Sequence, residues 1–433
     1  MNEERDLLIR NVFPVGDSHD GTTNLDIRIT GGIIRDISPQ LDAREGETLY
    51  DAGGAFVSAG WMDMHVHLRE PGYEHKETVR TGCEAAAAGG FTAVACMPNT
   101  DPAIHTRDVV EFIKEKSRDL PVYVYPIGAV SRDRAGKAIT EMADMKDGGA
   151  VAFSDDGDPV WDSRLMRTAL EYAAMLDVPV INHEEDLALS RPGHMHEGRV
   201  STRLGLRGSP SIAEEVMIAR DILLAELTGG SLHVAHISTR RGVSMVREAK
   251  QRGLPVTTEV CPHHFDLTDE EIERSAFDTN FKMHPPLRTA DDVEAMIEGL
   301  ADGTIDAIAT DHAPHSVDEK QVEFIYAPNG IIGLETAWPV ICRRLLEPGR
   351  LTLPQVIGKL TTRPREILRL PVPLIEPGEP ANLTLFHTDR EWVCSRENLR
   401  SRSSNTPYLN QIMKGRALAI YNKGRLVPAD TVR

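Results

Sequence analysis

The sequence lacks any uninterrupted apolar run of about 18 residues, the length a helix needs to cross a bilayer. Its opening, MNEERDLLIRNVF, is charged and has no continuous apolar stretch of the kind a secretory leader carries. Together these imply a soluble chain in the cytoplasm. Cysteine is scarce: five in 433 residues, at positions 83, 96, 261, 342 and 394, with no Cys-x-x-Cys spacing. That pattern argues against zinc clips and dithiol redox work, and reduced thiols in or near the core are expected. No run of Lys or Arg offsets the net charge of -18, which disfavours nucleic acid and anionic membranes as partners. A small anionic substrate remains admissible, provided that a local cation receives it. Tandem repeats and low-complexity linkers are also missing.

What is present is a chain long enough, and at 41% hydrophobic residues apolar enough, for one large α/β barrel with a small accessory domain, or for two ordinary domains. Residues 1–58 alternate in short bursts such as Leu25–Thr30, broken by Gly31-Gly32 and Gly53-Gly54, which reads as small-sheet material. From Ala55 the rhythm changes. Eight apolar runs follow: AFVSAGWMDMHVH, FTAVACMPNT, PVYVYPIGAV, AVAFSDDG, PVINHEE, LHVAHIST, PVTTEVCPHH and DAIATDHAPH. Between most of them lie amphipathic stretches, among them 78–88, 211–227 and 291–300. Strand and helix in alternation, eight times, predict a (β/α)8 TIM-like barrel over 59–370. Past Pro371 the alternation stops, and ANLTLFHTD and ALAIYNKGRLV again read as strands. Residues 371–433 are therefore expected to pair with 1–58 in one β-rich, sandwich-like domain.

The stretch MDMHVHLREPG opens the barrel. If it is extended, His65, His67 and Arg69 share one face while Met64, Val66 and Leu68 take the other. An isolated His-x-His is more often the polar face of a strand than a metal site. Its neighbours change that balance: seven of the eight runs end in a polar group, namely His65 and His67, Asn99, Asp156, His183, His236, His263 and Asp311. The carboxyl ends of barrel strands are where chemistry is done. Several imidazoles and carboxylates buried on one rim would be poorly satisfied without a cation. His65, His67, Asp156, His183, His236 and Asp311 form a nitrogen and oxygen set that suits zinc, with manganese, cobalt or iron as substitutes. Six ligands are too many for one tetrahedral ion. Two ions sharing a bridging carboxylate and a bridging hydroxide would use all six and supply a nucleophile at neutral pH. Asp155 and Asp156 would face opposite ways in a strand, so only one of them can bridge.

The motifs HVHLREPG, MPNT, FSDDG, HISTRRGV, PPLR, ATDHAPH and GLET, in this order along nearly the whole chain, resemble the amidohydrolase superfamily and, within it, the class I dihydroorotases. The resemblance implies that His65, His67 and Asp311 bind one metal, that His183 and His236 bind the second, and that Asp156 bridges, leaving Asp155 to cap the following turn. Related hydantoinases and allantoinases usually bridge with a carboxylated lysine, whereas the acidic FSDDG position requires none. The implied reaction is the reversible opening of dihydroorotate to N-carbamoyl-L-aspartate in pyrimidine synthesis. In it the bridging hydroxide attacks the ring carbonyl and Asp311 serves as general base and then acid. The substrate carboxylate would meet Arg69, with Asn99, His315 and the metal ligand His67 as further contacts. Two positions depart from the family pattern: His284 stands where Asn is usual, and Asn329-Gly330 where Phe-Gly is frequent. The first can still hydrogen-bond the ring, and the second is tolerable if that contact is through backbone. Arg191–Gly198 reads as an exposed loop and candidate lid, with His194 and His196 facing solvent. Rival readings are another cyclic amidohydrolase, or a silent scaffold for aspartate transcarbamoylase. Homo-oligomers or association with that enzyme are compatible with activity.

Overall fold

The computed structural model describes residues 6–16 and 19–431, so that Met1–Arg5 of the charged opening lie outside the described residues. The barrel is built from parallel strands Trp61–Val66, Phe91–Cys96 and Tyr123–Pro126, then a single bridging position at Phe153, then Val180–Asn182, Leu232–Val234, Val256–Val260 and Ala307–Ile308. Parallel bridges Gly128 to Phe153, Phe153 to Val180, and Val66 to His312 close the ring. Each of the eight sequence runs supplies one of these staves. Helices Val79–Ala88, Ile212–Thr228 and Ala290–Ala301 occupy the three amphipathic stretches. Thr78 and Thr289 start the first and last with reciprocal capping boxes, which satisfy amide donors that a helix start leaves free. No described helix is long and apolar enough to cross a membrane.

The barrel interior is filled by small and flexible apolar residues, including Met62, Met64, Ala93, Ala95, Ile127 and Ala307. Ile367 and Leu368, from the helix Thr362–Ile367 and the residue after it, join this cluster. One expectation fails here. Met64 was expected beside Val66 and Leu68, yet it packs in the interior while those two pack in the outer core. The pairing register of the first strand shifts between Asp63 and Val66, and such an irregularity re-aims the side chains that follow it.

The two chain ends do pair. Strands Leu7–Gly16, Leu25–Thr30, Ile33–Ser38 and Thr48–Ala59 join Leu383–Val393, Ile412–Asn422 and Arg425–Pro428 in one sheet, with Thr48–Ala59 lying antiparallel to Leu383–Val393. The change of rhythm at Ala55 thus falls inside a sheet strand, since Ala55 and Val57 alternate into that sheet's own core. Gly60 turns the chain from sheet to barrel, where a Cβ would collide with Asn382 and Thr92. Beside it, Trp61, Trp338 and Phe386 meet with ring centroids 4.7 to 5.1 Å apart, joining the two layers. All five cysteines are buried and unpaired.

Phe386 touches Phe56, Trp61 and Trp338 and is fully buried. Phe386→Ala should therefore cost about 3–5 kcal/mol in urea unfolding; a variant as stable as the parent would show that this cluster does not join the layers.

Candidate metal centre

At the carboxyl ends of the strands the six predicted ligands converge, all buried. Asp156 lies at their centre. Its Oδ2 is 3.4 Å from His65 Nε2 and 3.5 Å from His67 Nε2, while its Oδ1 is 3.4 Å from His236 Nε2 and 3.6 Å from His183 Nδ1. Each carboxylate oxygen thus serves a different pair of imidazoles. Asp311 adds its Oδ1 to the first pair, 2.9 Å from His67 Nε2 and 3.6 Å from His65 Nε2. Asp155 points away, accepting from the backbone and hydroxyl of Ser131.

The remaining ring nitrogens decide which lone pairs are free. His65 Nδ1 donates to Glu259 at 2.6 Å, and His67 Nδ1 donates to Asn99 Oδ1 at 2.7 Å. Both histidines therefore turn Nε2 toward the carboxylates, so Nε2 is the nitrogen each would offer a metal in exchange for its proton. His65 Nε2 and Asp156 Oδ1 are buried without a hydrogen-bond partner. Two orphaned atoms of ligating type, one on each side of the Asp156 carboxylate, fit a cation better than they fit packing.

Electrostatics agree. Burial works against a charged imidazole, yet the Asp156 and Glu259 carboxylates hold His65 well above its ordinary value, and Asp156 with Glu185 lifts His183 to about 10. Burial likewise opposes ionised carboxylates, but the surrounding imidazoles keep Asp156 and Asp311 low. The cluster demands positive charge. Protons supply it here, and a divalent ion would supply it while leaving the nitrogens free to ligate.

The backbone is bent to make this arrangement. Arg69, His236 and Asp311 have φ of 63°, 30° and 48°, in the left-handed region that side chains with a Cβ avoid. Asp63, pushed up to about 7 by burial, accepts the backbone N–H of His65 and of Thr310, so one carboxyl group positions His65 and the residue before Asp311.

Beside the ligands lies a second group. Arg69 donates its Nε to Pro314 O at 3.2 Å, and burial lowers it to about 10, still a cation at neutral pH. His315 Nε2 donates to Asn329 O at 2.9 Å and lies 3.5 Å from Arg69. Gly330 has φ of 116° and would press a Cβ onto Ala313, so this position needs glycine. On the opposite side His284 Nε2 donates to Glu185 at 2.8 Å, with its ring edge-on to His183.

The family model described as Dihydro-orotase-like matches residues 54–242. A protein named Dihydroorotase from Pelotomaculum thermopropionicum is 51% identical over 407 residues, 94% of this chain and 95% of its own. Another of that name, from Syntrophus aciditrophicus, is 48% identical over 405 residues, 93% and 94% of the two chains. This chain belongs to the dihydroorotase family. Among solved structures, L-hydantoinase from Arthrobacter aurescens superposes with a TM-score of 0.87 at 25% identity, over 99% of this chain and 97% of that one. Dihydropyrimidinase from Brevibacillus agri gives 0.83 at 21%, over 98% and 95%.

Within this dihydroorotase-family site, sequence reasoning missed Glu259, Glu185 and Asn405. Glu259 carried a signal, an acidic residue beside β-branched residues inside the strand Val256–Val260. Asn405, which accepts from the His315 backbone and donates to Ala313 O and Gly330 O, carried none. The Arg191–Gly198 segment departs from its expected exposure. Met195–His196 pairs with Gly208–Ser209, Met195 enters a core cluster, and His196 is buried beside Arg288 rather than facing solvent.

Glu259 orients His65 without touching the point where the ligands meet. Glu259→Gln should weaken metal retention by roughly 10- to 100-fold in dialysis against a chelator, with circular dichroism unchanged. Undiminished retention would show that His65 needs no such support.

Proposed function

We propose that this protein is a cytoplasmic dihydroorotase that interconverts dihydroorotate and N-carbamoyl-L-aspartate, with two divalent ions, zinc by preference, held by His65, His67, Asp156, His183, His236 and Asp311. The observation that carries this reading is the division of Asp156, one oxygen toward His65 and His67 and the other toward His183 and His236. Its relatives named Dihydroorotase support the choice of substrate. When bound, such ions polarise a carbonyl and make a water-derived nucleophile available at neutral pH.

The chain's own residues do the rest. Arg69 receives the substrate carboxylate with the nitrogens that Pro314 leaves free, in a site where a buried cation is needed to offset that charge. Asn99, His315, His284 and the backbone at Asn329-Gly330 line the place where the ring would lie. Asp311 takes the proton of the attacking water and returns it to the ring nitrogen as the carbon–nitrogen bond breaks. Its position against His67 Nε2, at 2.9 Å, keeps it ionised and ready to accept.

Purified protein should turn over both dihydroorotate and N-carbamoyl-L-aspartate, lose that activity on chelation and regain it with zinc. The hydantoinase alternative is favoured instead if metal-loaded protein ignores both compounds but opens hydantoin or dihydrouracil. Arg69→Met should raise KM by roughly 10- to 100-fold, the worth of charge-assisted hydrogen bonds to a carboxylate, at unchanged metal content. An unaltered KM would remove Arg69 from the substrate site.

A further inference from the structure

Just past the strand Val256–Val260 the chain turns through Cys261-Pro262-His263-His264, and the side chains of Cys261, His263 and His264 are not used by the centre described above. One ligating atom from each of Cys261, His263 and His264 lies within 4.8 Å of the others, and all three residues are buried. His264 Nε2 donates to Pro285 O at 2.9 Å, which fixes the tautomer and leaves Nδ1 as a bare lone pair. That Nδ1 and His263 Nε2 are both buried without a partner. A ligating histidine tied through its other nitrogen to a backbone carbonyl is the usual arrangement at a metal.

We infer that Cys261, His263 and His264 form a further metal site, distinct in chemistry from the His/Asp centre because it contains a thiolate. The class of ligand follows from the donors. One sulfur and two imidazoles suit zinc, or copper in its monovalent state, and disfavour magnesium or calcium. Donors around a tetrahedral zinc stand roughly 3.5 Å apart, so the turn needs only modest rotation of the rings to close on an ion. Zinc binding there would take the thiolate and release the thiol's proton to solvent. Its role is to fix the turn beyond this strand, adjacent to Asp311.

Cobalt(II) titrated into the metal-free protein tests this independently of turnover. Among the described ligand groups, only this one contains sulfur. The parent protein should develop the near-ultraviolet thiolate-to-cobalt charge-transfer absorption, whereas Cys261→Ser should lack it and bind one cobalt fewer at saturation. Absence of the band in the parent, or the same band and stoichiometry in Cys261→Ser, would overturn the assignment. If the serine variant does not fold, His264→Gln addresses the same site and should lose one cobalt and weaken the band; unchanged binding there would equally overturn it. Because His65, His67, Asp156, His183, His236 and Asp311 offer no thiolate, failure of this site and failure of the proposed catalytic centre give different readings.

Discussion

Four carboxyl groups, Asp63, Asp156, Glu259 and Asp311, are buried within one rim of the barrel, and among the described residues no Lys or Arg forms an ion pair with any of them. Gathering that much potential negative charge in a low-dielectric interior is unfavourable by several kcal/mol unless positive charge accompanies it. Everything at the mouth of the barrel answers this demand. Imidazoles face the carboxylates of Asp156, Glu259 and Asp311, while Asp63 is shifted toward its neutral form by burial. The nearest guanidinium, Arg69, is not consumed in pairing with the cluster, which is why it remains available for an anion from outside.

The same demand explains where backbone strain is tolerated. Left-handed φ at Arg69, His236 and Asp311 costs roughly 1–3 kcal/mol each, and such strain persists only where surrounding contacts over-determine it. Asp63 provides part of that support by accepting from His65 and Thr310 at once, and the parallel bridge from Val66 to His312 closes the ring between them. A metal gathering these side chains would offset part of the same cost.

The barrel was legible because its period is written in the sequence: apolar runs ending in polar groups alternate with amphipathic stretches, and the run order survives intact in the fold. The side chains that converge at the rim were legible for a related reason, since a strand end is a place in the sequence as well as in space. What escaped was whatever depends on long-range contact. Met64 changed faces through a register shift that no local pattern announces. His196 was hidden by a two-residue pairing with Ser209 whose partner lies a helix away. Asn405 sits in a polar stretch, SRSSNTPY, that reads as an ordinary loop.

That last residue shows what the terminal sheet contributes to the barrel. The chain leaves the sheet after Leu383–Val393, crosses to the barrel mouth, and returns as Ile412–Asn422. On the way Ser401 and Arg402 bind the buried Glu77, and Asn405 ties Ala313 to Gly330 while accepting from His315. His315 in turn holds Asn329 and adjoins Arg69. The residues proposed to hold substrate are therefore set by a strap whose two ends are anchored in the terminal sheet, not by the barrel alone. A barrel cut free at residue 370 would keep its metal ligands in sequence but lose the contacts that fix the substrate side of the site. The sheet helps to shape the proposed site for that reason, although none of its described strands reaches the converging His and Asp side chains.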